Sequence, residues 1–277
     1  MTNKQAMGFA HHLIETCYYA KGHANSEVIL AAHWVATNII KLIGEKSYQL
    51  VTLKLFKEQK AEVLKRAREL FSDKAEPFQI AQKLFDLNAW YDRTDKLYGP
   101  LTAQSIVQGY RTGAQRVGVE LPFPPGDTRA KAVALEVLGK ARGINDTMLS
   151  KIADDVLAWQ ESGDPLSGLE ERLGNTYGIA KNRVKTIAQT TATPVFESGQ
   201  ELAFQDAGIK QKGWLSRRDG DVREEVTGDH VEADGQFVDM SDTFLVTGES
   251  LRWPGDPSGS AGNVINCRCT QMPGEFE

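Results

Sequence analysis

The apolar residues of this chain change their period once, at Gly208, and that change limits the folds open to it. Before Gly208 they recur at helical spacing. Ala130, Val133, Ala134, Val137 and Leu138 fall at i, i+3, i+4, i+7 and i+8, one stripe on a 3.6-residue period. Met148, Ile152, Val156 and Trp159 make the buried face of the next helix, with Asn145 placed to cap it and Gly163 to stop it. Leu53, Phe56, Val63, Ala67 and Leu70 mark another, and Glu27 to Ile43 reads as an unusually apolar helix closed by Gly44. A long helix is expected from Tyr177 to Ala207, with Val184, Ile187, Thr191, Val195 and Leu202 on one face. Pro194 should kink it and Gly208 should cap its end. Beyond Gly208, Gly213-Trp-Leu, Gly235 to Met240 and Thr243 to Thr247 are short β-type segments parted by glycine and aspartate turns. The expected fold class is α+β, predominantly α: a long helical region, then a small α+β C-terminal domain.

One stretch interrupts the helices. Leu121 to Asp127 holds three prolines and a glycine, which forbid helix and make a stiff connector. The expected organisation is a helical region over 1–120, a connector over 121–127, a helical segment over 128–208 and a small module over 209–277 packed on the long helix. Sequence before the connector is open to being a separate helical unit. No apolar run approaches bilayer length. Residues 1–20 carry His11, His12 and Glu15 without a small-residue cleavage site, so a secretory leader is not expected and the chain should stay in the cytoplasm where it is made.

Charge and cysteine usage narrow the function. Thirty-two basic residues against 37 acidic ones leave a net charge of −5, so global electrostatics do not draw this chain to DNA and any contact needs a local patch. Lys181, Arg183, Lys185, Lys210, Lys212, Arg217 and Arg218 are the basic concentration that offers one, with an ordinary solvated face as the alternative. Cys17, Cys267 and Cys269 are too few for a disulfide framework, which agrees with a reducing compartment. His11, His12, Glu15 and Cys17 share helix faces but match no zinc-protease spacing and read as surface residues.

The C-terminal run Leu251-Arg-Trp-Pro-Gly-Asp-Pro-Ser-Gly-Ser-Ala-Gly-Asn-Val-Ile-Asn-Cys-Arg-Cys269 carries the strongest functional signal. Pro254-Gly255-Asp256 is a turn in which proline presets the first corner and glycine supplies positive φ. Trp214, Asp219, Arg223, His230, Asp234-Gly235 and Phe244 precede it in order. With Arg183, Thr190, Thr191 and Gly208 upstream and Asn266, Cys267, Arg268 and Cys269 at the end, this ordered set resembles the C-terminal domain of the Mu protein F-like minor head proteins of tailed bacteriophages, also called head morphogenesis proteins. The resemblance spans 180–270. The family places the histidine closer to the arginine, whereas Glu224 to Asp229 separate Arg223 from His230 here.

Cys267, Cys269 and His230 join soft ligands to that resemblance. Zinc takes thiolate and imidazole in tetrahedral geometry, and a small loop-rich fold gains from a metal staple. Asp219, Asp234 or Asp256 is the candidate fourth ligand. The alternative is two packed thiols, with Arg268 bonding a carboxylate or a backbone carbonyl. His230 also has a general-base reading beside Arg223. However, eleven acidic residues and two basic ones between Asp219 and Asp256 would repel a phosphate substrate, so no catalytic residue is expected. Calcium or magnesium is the other use for those acids, but they fail the EF-hand register. Trp214 and Trp253 read as core anchors.

The resemblance implies a non-enzymatic minor head protein of the virion, acting in procapsid assembly near the portal vertex and in DNA packaging or ejection. Its implied partners are portal, scaffold or major capsid protein, with packaged DNA as a further one. A phage-borne enzyme or effector is the second class, since related domains are joined to toxins whose activity lies in an added C-terminal domain. A chain ending eight residues after Cys269 is expected to lack that domain.

Overall fold

The computed structural model describes residues 2–19, 26–69, 76–216 and 229–274. Seven helices come first: α1 (Asn3–Tyr19), α2 (Ser26–Glu69), α3 (Pro77–Leu84), α4 (Leu87–Arg116), α5 (Thr128–Ser162), α6 (Leu166–Asn182) and α7 (Val184–Asp206). Then follow β1 (Gln211–Leu215), β2 (Phe237–Asp239), β3 (Phe244–Val246), β4 (Glu249–Leu251), the short α8 (Ala261–Val264) and β5 (Thr270–Pro273). The protein is α+β and predominantly α, with the change of element type at Gly208. That glycine sits at φ 73°, one residue beyond the Ala207 cap of α7.

Two expected helix boundaries are absent. Gly44 lies inside α2, and α5 runs unbroken through Asn145. Glycine within a helix costs about 1 kcal/mol, which the packing of so long a helix offsets. Asn145 is buried rather than capping: its Oδ1 accepts from Gln59 Nε2 at 2.7 Å and its Nδ2 donates to Thr94 Oγ1 at 2.9 Å. The cap of α5 is Asp127, whose side chain accepts from the amides of Arg129 and Ala130. Its end is Gly163, left-handed at φ 67°. The expected Tyr177 to Ala207 helix is two helices, α6 and α7, divided at Arg183.

Sequence on either side of the connector shares its cores. Tyr48, Leu55 and Tyr98 from α2 and α4 pack with Ala141, Ala188 and Ala192 from α5 and α7. Ile106 and Tyr110 pack with Val133, Val195 and Trp253. The connector itself folds back onto this core, with Phe123 edge-on to Tyr110 at 5.2 Å.

Helix α7 is the axis of the molecule. Every residue from Thr191 to Phe204 is buried, which a single apolar stripe does not anticipate. It crosses α4 where glycines meet. A Cβ on Gly109 would overlap the Phe196 carbonyl oxygen, one on Gly199 would overlap that of Ile106, and one on Gly113 would come 2.8 Å from Ala203 Cβ. The backbones therefore approach more closely than any side chain permits.

The sheet is small. β1 is central and antiparallel to both neighbours in the order β2-β1-β5, and β3 and β4 form a separate hairpin. Its two-residue turn, Thr247-Gly248, has positive φ at both positions, 48° and 79°, as a twist-matched tight hairpin requires. Asn263 steadies the strained threonine, accepting from Thr247 Oγ1 at 3.1 Å while donating to the Val246 carbonyl at 3.3 Å.

Gly109→Ala and Gly199→Ala should each destabilise the protein by about 1–3 kcal/mol or more, the cost of overpacking against backbone. Gly139→Ala on α5, where a Cβ meets nothing within 4 Å, should be neutral or stabilising. Urea unfolding of the three variants checks this.

Candidate metal centre

The site begins with a left-handed residue. Asn266, at φ 58°, follows α8 and redirects the chain toward β5; asparagine is among the few residues that tolerate that region. Its carbonyl accepts from Gln189 Nε2 at 2.7 Å, and its amide donates to Thr190 Oγ1 at 3.2 Å. From there the side chains alternate. Cys267 and Cys269 are buried, while Arg268 turns toward the helices to donate to Gln189 Oε1 at 2.6 Å and lie 3.8 Å from Glu45. The one-residue spacing thus brings both thiols to the same side.

The third member comes from the turn before β2. Asp229 Oδ1 accepts from the amides of Val231 and Glu232 at 2.9 and 3.0 Å, which fixes the turn that carries His230. The buried imidazole lies edge-on to Trp214 at 5.5 Å, and Trp214 is edge-on to Phe244 at 5.4 Å. His230 Nδ1 is 3.8 Å from Cys267 Sγ and 3.4 Å from Cys269 Sγ. The three ligand atoms all lie within 4.8 Å of one another, so this group can hold a metal ion. The Cys269 thiol beside it holds Cys267 well below the ordinary thiol range; burial opposes this, while His230 and Lys41 reinforce it.

Among the described residues no carboxylate joins the group. Asp234 accepts from the Ser216 amide at 2.8 Å. Asp256 is committed to Arg252, from which its two carboxylate oxygens accept at 2.7 and 2.8 Å, and to the Ser258 amide at 3.0 Å. Burial pulls the Asp256 carboxyl up, but Arg252 and these amides leave it below the usual carboxylate range. Asp219 and Arg223 lie outside the described residues.

The remaining sequence candidates fall around this centre. Asp256 amide donates to the Trp253 carbonyl at 3.1 Å across Pro254 and Gly255, with Gly255 at φ 77°. A Cβ on Gly255 would come 3.1 Å from Thr193 Cγ2, so the turn seats directly on α7. Gly235, at φ 78°, donates to the Trp214 carbonyl at 2.9 Å. Trp253 is buried beneath the Arg252 guanidinium, 4.2 Å from the ring centre. Arg183 stands apart, exposed between α6 and α7. Lys212 leaves the expected basic concentration: it is buried, 2.8 Å from Glu201. Burial raises the Glu201 carboxyl above its usual range, against the pull of Lys212. Lys181, Lys185 and Lys210 are exposed, whereas Arg217 and Arg218 lie outside the described residues. His11 is half-buried and hydrogen-bonded to Gln115 and Gln108 of α4, a link between helices rather than a surface residue.

The apolar periodicity gives no sign of the polar seam that fixes the cysteine segment ahead of β5. Thr193 Oγ1 donates to the Cys267 carbonyl at 2.9 Å. Lys41 Nζ donates to the Cys269 carbonyl at 2.6 Å and pairs with Glu197 at 2.5 Å, both side chains almost wholly buried. Glu197 Oε2 accepts from the Gln271 amide at 3.0 Å and from Gln200 Nε2 at 2.9 Å. Fully buried Arg116 donates to the Gln271 carbonyl and to Thr37 Oγ1. The available signal was Gln189, Thr193, Glu197 and Gln200 at i, i+4, i+8 and i+11, polar residues aligned on one face of a helix rich in threonine and glutamine.

No family model matches the sequence, and no solved structure matches it. The chain is 22% identical over 198 residues, 70% of its length, to the uncharacterized protein YqbB of Bacillus subtilis. It is also 22% identical over 264 residues, 84% of its length, to the NAD(+)–arginine ADP-ribosyltransferase EFV of Enterococcus faecalis. It spans 64% and 53% of the lengths of these curated relatives.

Removing one partner of a buried ion pair strands the other charge, at about 3–5 kcal/mol. Lys41→Met should therefore be severely destabilising, and Lys41→Met with Glu197→Gln should recover part of the loss. Thermal denaturation of the single and double variants measures that coupling.

Proposed function

We propose that this chain is a minor head protein of a tailed bacteriophage, a non-enzymatic component of the virion that docks on portal, scaffold or major capsid protein during head assembly. The observation that carries the reading is that a core of the resembling residues comes together around His230 and on α7. Trp214, His230, Cys267 and Cys269 pack together, Gly235 donates to the Trp214 carbonyl, and the Pro254 to Asp256 turn and Asn266 seat separately on α7 through Thr193 and Gln189. The chemistry-bearing groups there are buried, which suits a rigid docking module better than a centre that must admit substrate. Long helices around it offer the extended surface that assembly uses.

The metal in this reading is a structural zinc. Zinc bonds of about 2.0–2.3 Å in a tetrahedron separate neighbouring ligand atoms by about 3.4–3.8 Å, and the His230 to thiol distances are 3.4 and 3.8 Å. Cys267, Cys269 and His230 would hold the ion, tying the turn before β2 to the segment that leads from α8 into β5. His230→Ala and Cys267→Ser should each lower zinc content and thermal stability together. Stoichiometric wild-type protein without zinc by elemental mass spectrometry would reject the metal.

The relationship to the Enterococcus faecalis transferase favours a second reading, in which the chain shares in an ADP-ribosylating effector. Quantitative mass spectrometry of purified procapsids and filled heads separates the two. A low, reproducible copy number in procapsids is the expected result. Absence from both particles, with transfer of labelled ADP-ribose from NAD to arginine by the purified chain, would replace the head-protein reading.

A further inference from the structure

Two hollows lie side by side where α5 passes the junction of α6 and α7. One, of about 310 Å³, runs toward Val264 and Pro257 in the loop around α8; the other, of about 210 Å³, runs toward Phe56 and Met148. They share Lys140, Ile144, Arg183 and Ile187, so they form one groove with apolar ends and a cationic neck. Neither hollow is lined by any aspartate or glutamate, in a chain whose net charge is −5. The side chains of Lys140 and Arg183 make no ion pair or side-chain hydrogen bond among the described residues. The nearest acids along the helix are engaged elsewhere: Glu136 accepts from Arg252 at 2.9 and 3.0 Å, and Asp146 accepts from Tyr91.

We propose that this groove docks an extended segment of a partner protein in which one acidic residue lies between two large apolar side chains. The carboxylate would bridge Lys140 and Arg183, and an apolar side chain would fill the hollow on each side. Charge complementarity selects the acid. Burial of the flanking side chains supplies most of the affinity, since an exposed ion pair contributes little. Duplex DNA fits less well, because phosphates would use the two cations and leave both apolar hollows empty. That the partner is a head protein rests on the reading above; the chemistry of the groove does not.

Selection of a random 12-residue display library on the immobilised full chain tests the proposal independently of particle composition. Enrichment of peptides with Asp or Glu flanked by Leu, Ile or Phe is expected. A synthetic consensus peptide should lose at least tenfold in affinity on Lys140→Glu or Arg183→Glu, and a similar amount when its acid becomes the amide. Should either reversal fail to keep the wild-type melting profile, Lys140→Gln and Arg183→Gln replace them, with a several-fold loss expected. No enriched class, or affinity untouched by both substitutions, would overturn the proposal. So would fluorescein-labelled duplex DNA whose binding alone depends on Lys140 and Arg183.

Discussion

Helix side chains, rather than water, take the carbonyl groups of the segment that carries the two cysteines into β5. Gln189 and Thr193 of α7 take the carbonyls of Asn266 and Cys267, Lys41 of α2 takes that of Cys269, and Arg116 of α4 takes that of Gln271. Buried backbone left unpaired is expensive, so these donors are a condition for the strand to lie where it does. Two of them are charged and buried, and Glu197 balances Lys41 from the same helix that receives the strand. The small sheet has no independent seat: β5 is at once a strand of the sheet and a rider on α7.

This arrangement explains why so much chemistry-bearing sequence serves architecture. Cys-x-Cys spacing turns both thiols toward His230, while the arginine between them reaches back to Gln189 and Glu45. The Pro-Gly-Asp turn fits against Thr193 because its glycine has no Cβ, and its aspartate neutralises Arg252 above Trp253. Arg252 and Arg268 of the C-terminal run thus answer helix residues, Glu136 and Gln189, while Asp256 and Asn263 hold the run's own loop and hairpin.

Where the chemistry is local, the sequence announces it. The change of period at Gly208, the stop at Gly163 and the turn at Pro254 to Asp256 depend on residues adjacent in the chain, and all three stand in the fold. The grouping of His230 with Cys267 and Cys269 was legible because soft metal ligands coincide there with the resembling motif, which Cys17, His11 and His12 do not share. Boundaries at Gly44 and Asn145 were misread because tertiary packing overrode local preference: Asn145 found Gln59 and Thr94 instead of a helix end. The crossing at Gly109 and Gly199 and the seam along α7 pair residues far apart in sequence, and neither half identifies its partner from its own neighbourhood.

The bond from Lys41 to the Cys269 carbonyl joins residues 228 positions apart, and that from Arg116 to Gln271 joins residues 155 apart. A ribosome delivers the chain N-terminus first, at about 5–20 residues per second. For many seconds α2 and α4 therefore exist with a lysine and an arginine whose final partners have not been made. The helices can gather early, but the buried lysine and arginine gain these carbonyl partners only once the segment from Cys269 to Gln271 has emerged, so the polar seam is among the later contacts to form.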